Sequence, residues 1–421
     1  TLLNVCGSAL IAPAVVMIVR RALISLSEKS LGISGRLGLD NVERNLGRSS
    51  INVLALMVAV SMSISVSGWL NSFETSIREW FDQVASYDLT VTAGSPFVDS
   101  RHIPFTRSAV EKVASIEGIV GVQPMRGIGQ RLGNKDFMLI TYDTRLAHDQ
   151  EVRKNKHRTI VDGKAPIGRD ELRDRPLMLI GEIAAKRLGL KAGDRVTLST
   201  PSGSRIFEVR AVVVDYTSDQ GSIFIDRKHY VDLWKDSSID SLDIFLAPGV
   251  NAFQVADRIR QKIGGGQGLF ITTTTEAKQQ FFSSVKKGFS YTRSLEIIVL
   301  VIALLGVVGT MVSAVIDRTR EIGMLRAIGC ARRQVIAILV IEATFLGLCA
   351  VVGGVLAGTL QCLLFLRTIA VDEIGWQLTF VFPLAGALRI GLFVIATSAV
   401  AGLLPGLYAA RLEIKDALAY E

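Results

Sequence analysis

Segment 317–333 reads Asp-Arg-Thr-Arg-Glu-Ile-Gly-Met-Leu-Arg-Ala-Ile-Gly-Cys-Ala-Arg-Arg and lies between two long apolar runs, 295–316 and 335–366. Ile322, Leu325, Ile328 and Gly329 recur in it at helical spacing, with Arg318, Arg326, Arg332 and Arg333 around them. A plain loop needs no apolar stripe. The pattern predicts a helix that another protein grips, so its chemistry is mechanical contact rather than bond making. A second candidate is Glu342, about two turns into the apolar run that follows. A carboxylate at mid-bilayer costs about 2.5–3.5 kcal/mol on insertion scales, and less nearer the surface. Pairing with Arg332, Arg333 or a partner helix, or snorkelling, would relieve that cost. A structural or coupling role is expected over a proton relay.

Other chemistry is poorly served. No GxxxxGK[ST] occurs, so no phosphate-binding loop and no ATPase site are expected in this chain, and neither GxSxG nor HExxH is present. His102, His148, His157 and His229 are scattered without metal-ligand spacing. Cys6, Cys330, Cys349 and Cys362 all lie outside 71–293, so that polar segment carries no disulfide framework. No catalytic, cofactor-binding or metal site is expected.

These residues need elements to position them, and composition says which. The chain has 421 residues, is 49% hydrophobic with 20% charged residues, and has a mean hydropathy of +0.39. Charge and apolar runs are segregated. Five runs read as membrane-spanning helices: 2–19, 51–70, 295–316, 335–366 and 386–409. The net charge of +8 sits largely beside them, where positive-inside topology explains it, and nucleic acid is not expected as a partner. Arg20, Arg21, Lys29, Arg36, Arg44 and Arg48 place 20–50 in the cytoplasm, as the basic segment does for 317–334 and Arg411 and Lys415 do for 410–421. Segments 71–293 and 367–385, the latter with Asp372 and Glu373, fall outside. Residues 36–48 read as an amphipathic helix in the cytoplasmic interface, or as a solvated linker.

The outer segment reads as α+β. Strands are predicted over 87–92, 137–141, 193–200, 206–214, 222–225 and 242–246, and helices over 106–116, 182–188 and 252–263. Segment 264–268 is a glycine-rich turn. Thr273 and Glu276 offer a capping box for a helix with Phe281, Phe282, Val285 and Phe289 on one face. With 71–84 it would form a two-helix stalk.

Segment 317–334 resembles the coupling helix of the FtsX-like ABC permeases, the mechanotransmission family that includes the MacB and LolC/LolE transport proteins. Glu342 and Gly347, Gly353, Gly354 and Gly358 match that family's pattern after the helix. Segment 71–293 resembles, more loosely, a MacB-like periplasmic domain, with a porter portion (86–145 and 222–275) split by a small β portion (150–218). The resemblance implies an α-helical membrane protein of about five transmembrane helices with a large α+β extracytoplasmic domain, in a bacterial inner membrane. It divides the chain into 1–24 (the end of a preceding unit or a linking span), 25–50 (linker and elbow helix), 51–70 (span), 71–293 (outer domain with stalk) and 294–421 (FtsX-like domain).

The resemblance also implies a function. Arg320, Glu321, Ile322, Gly323, Met324, Leu325, Arg326, Ala327, Ile328 and Gly329 would contact a cytosolic ABC ATPase dimer that binds the ATP, with Glu342 assisting. Gly323 and Gly329 would allow close approach there. The chain would be the permease subunit, or the C-terminal half of a longer two-unit permease. It would work beside a second FtsX-like unit and a periplasmic or outer partner, among membrane lipids, to export or extract a lipoprotein, lipid or peptide. A regulator of an extracytoplasmic hydrolase and a membrane-anchored binding or adhesion protein are the alternatives. Gly354 and Gly358, like Gly402 and Gly406, are spaced for close helix contact either within the chain or between units.

Overall fold

The structure, a computed structural model, describes residues 2–30, 32–44, 46–93, 107–154, 158–165, 170–263, 269–288, 290–317, 319–369 and 378–411. Arg318, the turn 264–268, Asp372, Glu373 and Lys415 lie outside the described residues. The chain forms two compact units. The first is Thr1–Phe73, Lys287–Arg367 and Thr379–Glu421, and the second is Glu74–Lys286 and Thr368–Leu378.

The chain opens with three helices, α1 (Leu2–Ser30), α2 (Gly32–Arg44) and α3 (Leu46–Val84). In α2, Leu39 and Val42 are buried while Arg36 and Glu43 are exposed. This is the amphipathic pattern of a helix with one packed face. Arg20 of α1 lies 2.8 Å from Asp40 and 2.8 Å from Glu43, fixing α2 against α1.

In the second unit come β1 (Leu89–Ala93), α4 (Arg107–Ala114), β2 (Ile119–Leu132), β3 (Lys135–Tyr142), α5 (Thr144–Lys154), β4 (Ile160–Gly163), α6 (Glu171–Asp174) and β5 (Leu177–Gly181). Then follow α7 (Glu182–Leu188), β6 (Arg195–Thr200), β7 (Gly203–Val213), β8 (Ser222–Asp226), α8 (Arg227–Trp234), β9 (Ser241–Leu246), α9 (Ala252–Ile263), β10 (Leu269–Thr273) and α10 (Thr274–Gly288). The strand order is β10-β1-β9-β2-β3-β8-β5-β7-β4, with β6 on β7.

Strand β2 joins two portions of this sheet. Residues from Ile119 to Met125 pair with β9, and those from Arg126 to Leu132 pair with β3. Asp240 secures the change of partner. Its carboxylate accepts from Arg126 Nη1 at 2.5 Å and from the Gly127 amide at 2.8 Å. Arg126 Nε also reaches Asp236, which accepts from the Tyr230 hydroxyl as well. Burial pushes the Asp236 pKa up, but donors from Ser238 and Tyr230 and the Arg126 charge hold it well below the usual carboxylate range.

Beyond β2 the sheet is covered on both faces. Phe137, Leu139, Met178, Ile180, Ile223 and Ile225 point to one core. Their neighbours Ile140, Tyr142, Leu177, Leu179 and Phe224 point to the other. Strands buried on both faces read as unbroken apolar runs. On the β1–β9 portion, Leu89, Val91, Leu242 and Ile244 meet Val113 of α4 and Val255 and Ile259 of α9.

Helix α10 begins with the capping box. The Thr273 amide donates to Glu276 Oε2 at 2.9 Å, and the Glu276 amide donates to Thr273 Oγ1 at 3.1 Å. It lies beside the end of α3. The Arg78 guanidinium sits 4.5 Å from the Phe282 ring centroid, and Lys278 Nζ is 2.5 Å from Asp82.

The first unit resumes with α11 (Ser290–Asp317), α12 (Thr319–Ala327), α13 (Arg332–Arg367) and α14 (Leu384–Arg411). All five apolar runs therefore fall on helices. Among the described residues, Ser49–Val84, Arg332–Arg367 and Leu384–Arg411 are long and apolar enough to cross a membrane. At 36 residues, α13 extends roughly 54 Å, against about 30 Å of hydrocarbon, so it tilts or protrudes. Leu356, Leu360 and Leu364 make an exposed row on α13, and Leu384, Leu388 and Leu392 make another on α14. In a membrane such rows are open to lipid or to a neighbouring unit.

The glycine pairs serve packing within the chain. A Cβ on Gly358 would stand 2.5 Å from the Ser61 carbonyl oxygen of α3. That oxygen is backbone and cannot swing away. Gly354 faces Met57 and Val60 of the same helix, while Gly402 and Gly406 face Leu339, Ala343 and Ile336 of α13.

Candidate functional site

Helix α12 is short because both ends are fixed. Thr319 is buried at its start, and its hydroxyl donates to the carbonyls of Ile316 (2.8 Å) and Val315 (3.2 Å). At the other end Gly329 takes φ +107. The Cys330 amide donates to the Leu325 carbonyl at 3.0 Å, and the Gly329 amide donates to the Arg326 carbonyl at 3.1 Å. This is the Schellman pattern, in which a left-handed residue closes the helix and satisfies its last carbonyls. Gly329 is therefore required by the turn. Within this chain a Cβ at Gly329 would meet nothing within 4 Å, so the backbone conformation, and not crowding by its own chain, is what excludes a side chain there. Helix α13 starts at once. Gln334 Oε1 accepts from the Ala331 amide at 2.8 Å, the back half of a capping box. Thr319, Cys330 and Gln334 were not among the expected site residues. Gln334, three positions after Ala331, was the legible signal.

The apolar stripe is divided. Ile322 is 9% exposed and Leu325 half-buried, whereas Ile328 is 82% and Met324 48% exposed. Ile322 and Leu325 line a small crevice with Leu37 of α2, Val315 of α11 and Val335 and Ile338 of α13. Burying a side chain of that size contributes roughly 1.5–3 kcal/mol, so these two fasten α12 to its own unit. Of the three residues at helical spacing, Ile322 and Leu325 face their own unit and Ile328 alone is bare. Ile328 closes the helix, its amide bonded to the Met324 carbonyl at 3.1 Å, and its position roughly 120° around from Ile322 turns it off the buried face.

The open surface of this segment consists of Arg320, Glu321, Met324, Ala327 and Ile328, with Arg332 and Arg333 following. Arg326 is half-buried and Gly323 buried. Exposed apolar side chains ringed by charges suit a protein contact and hold no nucleophile or ligand set. Among the described residues, no group of His, Cys, Asp and Glu is arranged to hold a metal. Glu342 is only 5% exposed, on α13 between Leu339 and Leu346 of the helical core. It faces the bundle rather than lipid.

Known proteins match both units. Residues 294–414 match the FtsX-like permease C-terminal family, and residues 49–262 match the MacB-like periplasmic core domain. An ABC transporter permease protein of Mycobacterium tuberculosis is 30% identical over 431 aligned residues, covering 98% of this chain and 48% of the relative. The lipoprotein-releasing system transmembrane protein LolC of Xylella fastidiosa is 21% identical, covering 89% of this chain and 94% of the relative. The macrolide export ATP-binding/permease protein MacB of Aggregatibacter actinomycetemcomitans is 22% identical, covering 76% of this chain and 51% of the relative. The chain thus spans about half the length of the mycobacterial and MacB relatives. The second unit is the MacB-like extracytoplasmic domain, and α3, α13 and α14 of this membrane permease family are its candidate spans among the described residues. The chain belongs to the FtsX-like permease family, in the branch that carries a MacB-like periplasmic core domain.

Proposed function

We propose that this chain is the permease part of an ABC transporter of the mechanotransmission type. A cytosolic ATPase dimer, which would bind the ATP, presses on α12 and the turn after it. The motion passes through the spans to the extracytoplasmic domain, which exports or extracts a lipoprotein, lipid or peptide. A second FtsX-like unit, in the same longer chain or another copy, would complete the membrane part, and a periplasmic or outer protein would receive the cargo. The observation that carries this reading is the division of α12. Ile322 and Leu325 anchor it to the bundle, while Met324 and Ile328 stay open between charges. A helix fastened on one side and bare on the other can transmit force. Buried Glu342 lies on the helix that α12 leads into, and would help hold that joint rigid.

The relatives' names support this reading. One joins ATP binding to a permease, and another belongs to a lipoprotein-releasing system. The test is purification from native membranes with identification of what accompanies the chain. An ABC ATPase should co-purify with the native chain and be lost from Ile328→Asp at equal membrane insertion. Undiminished ATPase recovery with Ile328→Asp would remove this reading.

A further inference from the structure

The extracytoplasmic domain contains a cavity that the coupling reading does not use. It lies between α5 and the sheet face formed by β3, β5 and β7, and has a volume of about 280 Å³. Its walls include Ala147, Val152, Ile160, Leu179, Ala211 and Val213. One cation stands in this apolar setting. The Arg158 guanidinium carbon is 4.7 Å from the Phe224 ring centroid and 5.4 Å from that of Tyr142. Its side chain is 17% exposed, and Nε is 3.9 Å from Glu151 Oε1, beyond hydrogen-bonding distance.

A guanidinium has five N–H donors in a flat fork that matches an anionic head. The Phe224 and Tyr142 rings flank the guanidinium without using its N–H donors. Glu151, on the wall of the same cavity, and Asp215 favour its charged form, and among the described residues no side chain hydrogen-bonds it directly. His148 lines the same cavity, and among the described residues its buried Nδ1 has no hydrogen-bond partner. Its ionic neighbour Asp149 is 3.9 Å away. A cavity of about 150 Å³ lined by aliphatic side chains accepts benzene, so this one has room for roughly ten non-hydrogen atoms. That is the size of an eight-carbon chain with a small head.

We propose that this cavity binds a single-tailed organic anion, a medium-chain carboxylate or phosphate monoester, with its head at Arg158 and its tail against Leu179, Ala211 and Val213. The inference does not depend on ATPase coupling. It concerns the second unit alone.

The test uses the full chain in nanodiscs and titration calorimetry, with empty nanodiscs as the blank. Octanoate and octyl phosphate are the probes, and octylammonium is the control with the opposite charge. At least one anionic probe should bind saturably, about tenfold or more tighter than octylammonium, as expected for a charge-assisted hydrogen bond. The tighter anion tells whether the site suits a fatty-acid-like or a lipid-phosphate-like head. Arg158→Met should weaken that binding by about tenfold or more. Val152 lines the cavity and is largely exposed, so Val152→Trp should block entry without disturbing the core. No saturable binding of either anion would overturn the proposal. Equal binding of octylammonium, or unchanged binding in both folded variants, would do the same.

Discussion

Ile322 and Ile328 occupy one short segment but opposite environments, the first 9% exposed within the helical bundle and the second 82% exposed beyond the end of α12. Their different burial separates holding α12 from using it. Truncating a buried Ile to Ala costs about 2–5 kcal/mol, whereas an exposed one contributes little to stability. Ile322→Ala should lower the thermal midpoint of the purified chain clearly, and Ile328→Ala should leave it within about 0.5 kcal/mol of native. Equal destabilisation by the two would show that the division of the stripe does not hold.

Gly329 is the second point of control. A side chain at φ +107 carries a backbone penalty on the order of 1–3 kcal/mol. Gly329→Ala should lower stability by that order, and Gly329→Asn by less, because Asn tolerates the left-handed region better. Thermal unfolding of the two variants in detergent would rank them, and Ala milder than Asn is the contrary result.

Packing of α3 on α13 depends on Gly358, where a Cβ would meet the Ser61 backbone at 2.5 Å. Gly358→Val should cost about 1–3 kcal/mol or more through overpacking and reduce the yield of monodisperse protein. Gly306→Ala on α11, whose Cβ would meet nothing within 4 Å, should not. Size-exclusion profiles at matched expression read the difference. A normal profile for Gly358→Val would argue against the close helix contact.

Much of this arrangement was legible in the sequence, for identifiable reasons. The long apolar runs, the helical spacing in 317–333 and the Thr273–Glu276 box are local patterns, and the helices followed them. Strand β2 was missed because Pro124, Gly127 and Gly129 interrupt its alternation. Pro124 is tolerated because that half of β2 pairs only with β9 and forms an edge. Strand β5 was missed because Leu177–Ile180 is buried on both faces and shows no period. The division of α12 was also hidden. On a helix of 3.6 residues per turn Ile322 and Ile328 stand roughly 120° apart, so Ile328, whose amide still bonds the Met324 carbonyl, is turned off the buried face.

Asp243 should make the outer domain pH-sensitive. It sits on β9, accepts from Thr90 Oγ1 at 3.0 Å, and burial pushes its pKa up to about 7 despite that hydrogen bond. The unfolded value is about 3.9. A raised folded pKa means that this group's contribution to stability is complete below about pH 4 and is lost as pH rises through about 7. Asp243→Asn removes that dependence. Between about pH 5 and pH 8, the variant should gain in unfolding midpoint relative to the native chain. A difference that stays constant with pH, or shrinks as pH rises, would contradict the assignment.

The central claim is that the bare side of α12 is where a cytosolic ATPase makes contact. A photo-crosslinking residue placed at position 328, with a second chain carrying it at position 356 on the exposed leucine row of α13, tests this in native membranes. The account predicts an ATPase adduct from 328 and none from 356. An ATPase adduct absent from 328 while the ATPase is present in the membrane fraction, or equal adducts from both positions, would contradict it.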